Sequence, residues 1–230
     1  MVSRAQAERL RKAQIGIRTL VERDLEAFWA SLDLARPERV RDELLDFVPV
    51  LVQAYGESAA ALAADWYDEM RAAARAPGRF TADMDVPDET EAVEATVRRA
   101  SAALFTDTPA DALVAIQSKA GKYALNGARQ TVMHSTAHDP AASGWKRVTR
   151  SGACRLCRML EGRGGVYKES TAHFASHGDC NCAAVPSWDR RAPEVDVRLY
   201  EASKRTSRMT PAQRERHNAQ MRSYLEAYDD

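Results

Sequence analysis

The chain lacks an excess of charge, a long apolar run and an apolar leader. Its 33 Lys and Arg residues balance its 33 Asp and Glu residues. No run approaches the roughly 18–20 apolar residues that span a membrane. The first residues, MVSRAQAERLRKAQ, are charged, unlike the apolar centre of a signal peptide. We therefore expect a soluble protein that is made in a reducing cytoplasm and has no membrane partner.

Common enzyme motifs are also missing. None of the five histidines begins an H-x-E or H-E-x-x-H sequence, and neither the Walker phosphate loop nor G-x-S-x-G occurs. These absences exclude the enzyme classes that the motifs define, and we expect the protein not to be an enzyme. The alternative is a metal-dependent nuclease in which His173 or His177 activates water, although residues 158–179 are a short segment for such a site.

Cysteine is scarce, and its distribution is the main functional signal. All four cysteines of the 230-residue chain lie within a segment of 29 residues. Cys154 and Cys157 form a C-x-x-C pair, in which a tight turn can direct two thiolates to one point. His177, Cys180 and Cys182 follow after a loop and offer three more donors. Two such elements separated by a loop are typical of a structural zinc site in an intracellular protein.

The five candidate ligands exceed the places on a zinc ion by one, because Zn²⁺ takes four thiolate or imidazole ligands in a tetrahedron. The site would hold either all four cysteines or three cysteines and His177. A disulfide would need an oxidising compartment, and a redox C-x-x-C motif usually starts a helix in a βαβ unit. Neither context is indicated here. We therefore expect one structural Zn²⁺.

Apolar residues at helical spacing run through the first two thirds of the chain. Successive members are mostly three or four positions apart, which predicts helices with one buried face. The predicted buried positions are Ile17, Val21, Leu25, Phe28, Leu32, Leu44, Val48, Leu51, Tyr55, Leu62, Trp66, Met70, Val93, Val97, Ala100, Leu104, Leu113, Ile116, Ala120 and Tyr123. Pro49 is expected to kink or break its helix near Leu45, because proline removes a donor and crowds the preceding turn.

Turn and cap residues predict where these helices begin and end. Residues 75–88 contain proline and glycine without a period, which predicts a loop. Asp88 with Glu91 predicts a helix start. Thr108 followed by Pro109 predicts another, with a capping oxygen ahead of proline at the first helical position.

After a predicted turn at 138–144, the pattern changes. Short strands are predicted at 144–150, 164–170 and 182–188. Helix is predicted again from Pro193, with a capping box that starts at Thr210. Four apolar residues form a small patch near the C-terminus: Met221, Tyr224, Leu225 and Tyr228.

We therefore expect a mainly α protein in three parts. Residues 1–140 form a helical body, residues 141–191 a small α+β zinc-binding module, and residues 192–230 a C-terminal helical tail. Residues 145–191 hold nine Lys or Arg against four Asp or Glu. That local excess is compatible with contact to nucleic acid or to an acidic protein, and equally with a solvated face.

Side chains near the cysteines are secondary candidates. Four aromatic residues are expected to cover a metal site too small to have its own core: Trp145, Tyr167, Phe174 and Trp188. Six basic residues would be the ones to contact phosphates: Lys146, Arg147, Arg150, Arg155, Arg158 and Arg163. His134 and His138 share a helix face and would suit a metal, although such a pair is more often solvated.

The order of these motifs resembles a known family. A helical N-terminal region is followed by C-x2-C-x-x-L-E-G, then by G-G-V-Y, then by H-x2-C-x-C-x-x-x-P. This order is similar to the MuF-like minor head proteins of tailed bacteriophages, in particular those of actinobacteriophages. The motifs cover about residues 145–188. Members often have proline after the histidine and arginine between the last two cysteines, where this chain has Gly178 and Asn181.

The resemblance implies a virion protein in the capsid interior near the portal. It further implies a role in head assembly, and in DNA packaging or ejection. The implied partners are the portal protein, the major capsid protein and the packaged DNA. Carried over by position, the implied metal ligands are Cys154, Cys157, His177, Cys180 and Cys182. A DNA-binding zinc module is the alternative function.

Overall fold

The computed structural model describes residues 2–150, 152–168, 174, 176, 180–195 and 209–226. Helix accounts for 65% of the structure, so the prediction of a mainly α protein is confirmed. The α-helices are α1 (Arg4–Trp29), α2 (Pro37–Ala73), α3 (Thr90–Ala100), α4 (Ala110–His138), α5 (Arg155–Gly162) and α6 (Pro211–Glu226), and a 3₁₀ helix spans Ser101–Phe105. The strands are β1 (Gly144–Val148) and β2 (Ala183–Ser187).

The two longest helices, α2 and α4, pack along each other, and α1 and α3 pack against both. The predicted apolar faces supply the contacts, as Val21, Leu44, Val97 and Ile116 show by being at most 1% exposed. One cluster of buried residues joins the end of α1 to the first half of α2, α3 and the first half of α4. The helical body is therefore built as its apolar periodicity predicts.

Proline does not break α2. The helix runs continuously from Pro37 to Ala73 with Pro49 inside it, so of the predicted kink or break near Leu45, the break is wrong. Val48, Leu51 and Val52 lie around the proline and are buried in the bundle. Tertiary packing on both sides of Pro49 keeps the segment helical despite the missing backbone donor.

By length and composition alone, α2 would suffice to cross a membrane. Its most apolar 18-residue stretch has a mean hydropathy of 1.3, which corrects the expectation that no run comes near a span. In this fold 44% of that stretch is buried. Core helices pass the same test of length and composition, and the packing of α2 on α4 accounts for its apolar face.

The cap residues give a mixed result. α3 begins at Thr90, close to the predicted start, but its N-cap is Glu89 and no side chain caps it, so the predicted capping pair of Asp88 and Glu91 is wrong. The backbone N–H of Thr90 donates instead to the Asp88 carboxylate over 3.0 Å. Thr108 does not cap α4: Pro109 occupies the N-cap position, and the Thr108 hydroxyl donates instead to Asp111. The predicted capping box at the start of α6 is confirmed by reciprocal bonds between Thr210 and Gln213.

The two strands pair antiparallel, with Lys146 opposite Val185. Trp145 also exchanges two backbone hydrogen bonds with Tyr167, over 3.0 and 2.9 Å, on the other side of β1. Pro186 lies opposite Trp145 and has no N–H, but the Trp145 backbone is already paired with Tyr167. Proline is therefore tolerated in β2 without leaving an orphan carbonyl.

The strand predicted at 164–170 does not form in the residues described there. Val166 and Tyr167 each make only an isolated β-bridge. The first described residues of the predicted C-terminal helix also differ from expectation, because Glu194 bridges to Val166. The remainder of that helix start lies outside the described residues, as do the side chains of the predicted patch: Met221, Tyr224, Leu225 and Tyr228.

The sheet and the cysteines share a core with the helical body. A second cluster of buried residues contains Leu10 of α1, Tyr67 of α2 and Val132 of α4. The same cluster contains Trp145 of β1 and Val185 of β2. The cysteine-bearing segments are thus placed on the second halves of α2 and α4, opposite the end where α3 packs.

Candidate metal centre

Three cysteine sulfurs converge in the interior of the protein. Cys157 lies on α5, and Cys180 and Cys182 lie in the segment that leads into β2. Their Sγ atoms all lie within 4.8 Å of one another, and each residue is only 2% exposed. Among the residues that the structure describes, these three alone form a group of His, Cys, Asp or Glu side chains arranged to hold a metal ion.

Local structure explains how the first element presents its thiols. Cys154 is the N-cap of α5, and its Sγ accepts a hydrogen bond from the Cys157 N–H over 3.5 Å. A turn of this kind directs a backbone N–H at a sulfur. Cys157 and Leu160 fall on the buried face of α5, and Cys154 on its exposed end.

The sulfur spacing suits a tetrahedral metal ion. The Sγ atoms of Cys157 and Cys180 are 3.9 Å apart. Zn–S bonds of about 2.3 Å at tetrahedral angles place neighbouring sulfurs about 3.8 Å apart. A disulfide would need about 2.05 Å, and all four cysteines are free thiols. The three thiols therefore fit a soft divalent cation in number, spacing and chemistry.

The three thiols shift one another's pKa values in different directions. Hydrogen bonds from the Cys157 and Cys182 thiols lower the pKa of Cys180, whereas the hydrogen bond to Cys180 raises the pKa of Cys157. The hydrogen bond with Cys157 lowers the pKa of Cys182, but the bond with Cys180 and burial outweigh it and raise it to about 11. One thiolate is thus favoured at the expense of the other two, and a bound cation would stabilise all three.

Arg129 of α4 bonds to the backbone of two of the three cysteines. Its side chain donates to the carbonyls of Cys180 and Cys182, over 2.6 and 3.3 Å. It also donates to Asn126 Oδ1 over 2.9 Å and to the Lys122 carbonyl over 3.3 Å. Burial lowers the pKa of Arg129 to about 10, against the opposing influence of the nearby cysteine sulfurs.

Three of the four aromatic residues that were predicted to cover the site lie in the same buried cluster as the three cysteines: Trp145, Tyr167 and Phe174. Trp145 stacks on Tyr167 with ring centroids 4.3 Å apart, and Phe174 lies 5.6 Å from Trp145. The guanidinium of Arg147 lies over the Phe174 ring at 3.7 Å. Arg147 is only 3% exposed, so it is not available to phosphates as the sequence suggested. Trp188 instead packs edge-on against Tyr67 of α2.

Two of the five predicted ligands do not belong to the described cluster. Cys154 is exposed and lies outside the three-sulfur group, and His177 lies outside the described residues. Both remain candidates for the fourth place. The rings of His134 and His138 stand 4.1 Å apart, with His134 Nδ1 3.3 Å from Asp85, but they are not part of the metal-binding group.

Sequence reasoning missed Arg129. It lies in a helix, distant in sequence from the cysteines, among buried apolar residues such as Leu125, Ala128 and Val132. A basic residue on an otherwise apolar helix face was the one available sign that a buried partner exists.

The comparison with protein families identifies the class to which the chain belongs. A family model described as VG15 protein matches residues 1–205, which include the helical body and the three-cysteine cluster and end before α6. The chain is therefore a phage-associated viral protein. It belongs to the VG15 protein family. Searches of the curated proteins and of the solved structures found no match.

Proposed function

We propose that the chain is a MuF-like minor capsid protein that lies inside the head near the portal. It acts in head assembly, and in DNA packaging or ejection, through protein contacts rather than as an enzyme. Membership of a phage-associated family over residues 1–205 supports a virion protein. The order of the cysteine and histidine motifs supports the MuF-like type. The convergence of Cys157, Cys180 and Cys182 is the observation that carries this proposal.

The metal in this proposal is zinc, and its role is structural. Thiolate-rich sites select zinc or copper(I) over magnesium and calcium. The three sulfurs are buried, and a catalytic zinc needs an open position that substrate can reach. The ion would crosslink α5 to the start of β2, and either Cys154 or His177 would supply the fourth ligand.

The proposed partners are the portal protein and the major capsid protein. The test is co-purification: the full chain is mixed with purified portal or major capsid protein of its phage and separated by size. A stable complex with either partner is expected. The matched variant Cys157→Ser, which disrupts the metal site, is expected to weaken any contact made by residues 141–191, here called the cysteine module. Absence of both complexes would contradict the assembly role.

Contact with packaged DNA is the second candidate function. Arg150, Arg155 and Arg158 are exposed beside the cysteine cluster, whereas Arg147 is buried. If these arginines contact phosphates, DNA binding falls steeply with salt, and replacing all three by Gln lowers the salt slope by about three. A mobility-shift titration at several salt concentrations measures this. Cleavage of plasmid with added Mg²⁺ or Mn²⁺ would instead favour the nuclease alternative.

A further inference from the structure

We propose that Arg129 is the positioning residue of the metal centre: it holds the backbone of Cys180 and Cys182 so that both sulfurs face Cys157. This inference rests on the proposed metal site and adds a residue that no ligand motif contains. Arg129 does not touch the ion. It acts through the two carbonyl groups of the ligand-bearing residues.

The hydrogen bonds of Arg129 go to two places: the segment that carries Cys180 and Cys182, and its own helix α4. NH2 donates to the Cys180 carbonyl over 2.6 Å, and Nε donates to the Cys182 carbonyl over 3.3 Å. NH1 donates back to its own helix, to Asn126 Oδ1 and the Lys122 carbonyl. One edge of the guanidinium therefore holds the cysteine segment, and the opposite end is tied to α4. The orientation of the segment is set by a helix of the body.

Only arginine can make these bonds together. The guanidinium is planar and presents five N–H donors in a fixed fork, whereas a lysine ammonium has three donors on one atom. A lysine at this position would have three donors for the four acceptors that Arg129 bonds, so it could not keep all four bonds. The Phe174 ring, whose centroid lies 5.0 Å from the Arg129 guanidinium carbon, packs against the fork.

The positive charge of Arg129 also favours a position beside an occupied metal site. The residue is 1% exposed, and its acceptors in the described structure are three carbonyls and one amide oxygen, none of them a carboxylate. A buried cation is costly unless an anion lies near it. A divalent ion with three thiolates carries a net charge of minus one. The occupied site would supply an anion beside Arg129, whose acceptors among the described residues are all neutral.

The test compares metal affinity in the full chain and the variant Arg129→Lys. Cobalt(II) serves as the probe, because thiolate-to-cobalt charge-transfer bands report how many sulfurs bind, and competition with a chelator gives the Kd. The matched control is Arg71→Lys, which changes another buried arginine that bonds to Asp139, Pro77 and Gly78 rather than to the cysteine segment.

Arg129→Lys is expected to bind Co²⁺ about 10- to 100-fold more weakly than the unmodified chain, as changes to groups that orient metal ligands do. Its charge-transfer bands should also weaken. Arg71→Lys should keep the Kd and the spectrum even if it melts at a lower temperature. An Arg129→Lys variant with the Kd and spectrum of the unmodified chain would overturn the positioning role.

A second variant tests the same role in case Arg129→Lys does not fold. Asn126→Ala removes one acceptor that orients the guanidinium, at a half-buried position. It should weaken Co²⁺ binding, by less than the roughly 10- to 100-fold expected of Arg129→Lys, because the bonds of Arg129 to the cysteine segment remain. An unchanged Kd and spectrum in this variant would overturn the role even if Arg129→Lys does not fold. If the unmodified chain binds no Co²⁺ or Zn²⁺, both this inference and the metal site fall. If it binds and the variants match it, only the role of Arg129 falls.

Discussion

Arg71 and Asp139 form a buried ion pair, with 3.0 Å between Arg71 Nε and Asp139 Oδ2. The same carboxylate oxygen accepts from the Tyr67 hydroxyl over 3.2 Å and from the Trp188 indole over 3.0 Å. Asp139 follows α4, Arg71 and Tyr67 lie on α2, and Trp188 follows β2. One carboxylate therefore ties the sheet that leads to the cysteines to the two long helices.

Replacing Asp139 with Asn should lower the free energy of unfolding by about 3–5 kcal/mol, because Arg71 is left buried without an anion. Urea denaturation at pH 7 measures the change. Asp107→Asn is the control, since Asp107 is exposed, and it should change stability by less than about 0.5 kcal/mol. Equal effects in the two variants would contradict the importance of the pair.

The same carboxylate predicts a dependence on pH. Burial alone would raise its pKa, but hydrogen bonds from Arg71 and Trp188 outweigh it and hold the pKa of Asp139 below its ordinary value. A lowered folded-state pKa contributes stability above the unfolded pKa of about 3.9, and that contribution is lost as pH falls through the folded value. The unfolding free energy of the unmodified chain should therefore drop below about pH 4 more steeply than that of Asp139→Asn. Parallel pH profiles would argue against this.

Gly127 of α4 packs directly on the backbone of Gly56 of α2. A Cβ on Gly127 would lie 2.2 Å from the Gly56 carbonyl oxygen, and backbone cannot move aside as a flexible side chain can. Gly127→Ala should therefore destabilise the chain by at least about 1–3 kcal/mol in thermal or urea unfolding.

Gly16 provides a control with the opposite sign. It lies exposed inside α1, and a Cβ there would meet nothing within 4 Å. Gly16→Ala should stabilise the chain by about 0.5–1 kcal/mol, because alanine favours helix over glycine. A neutral or stabilising Gly127→Ala would show that α2 and α4 are not in backbone contact.

Much of the helical body follows from sequence, because a buried face at helical spacing is a local property. The stripe through Val21 and Leu25 of α1 predicts the helix and its buried side. The continuity of α2 through Pro49 could not be predicted this way, since packing against α4 decides it. The Thr108 cap failed for a similar reason: the hydroxyl has a better partner in Asp111.

The candidate site was predictable in residue type but not in geometry. Spacing alone pointed to Cys157, Cys180 and Cys182. It could not show that Cys154 would be exposed at a helix cap, because the direction of a side chain depends on where α5 packs. Arg129 and Asp139 were out of reach, since their partners lie about 50 or more residues away in the chain.

Cys157→Ser should lose most of its bound zinc and loosen the cysteine module. The buried cluster at the α3 end of the bundle contains no cysteine, so most of the helicity should remain. Hydrogen exchange should speed up in residues 144–148 and 183–187, while far-ultraviolet circular dichroism changes little. Loss of the whole dichroism signal would contradict a body that folds around its own core.

Cys154→Ser is the informative comparison. Cys154 is exposed and lies outside the three-sulfur group. We expect this variant to lose less zinc affinity than Cys157→Ser in a chelator competition. An equal loss would make Cys154 a full ligand and would displace His177 from the fourth place.

The central claim is that three buried sulfurs hold a metal ion, and elemental analysis tests it most directly. The full chain is purified under reducing conditions without chelators, and zinc is measured against protein concentration. About one zinc per chain is expected from a single tetrahedral site. A reduced sample that contains no zinc, and takes up none when the ion is supplied, would contradict the account.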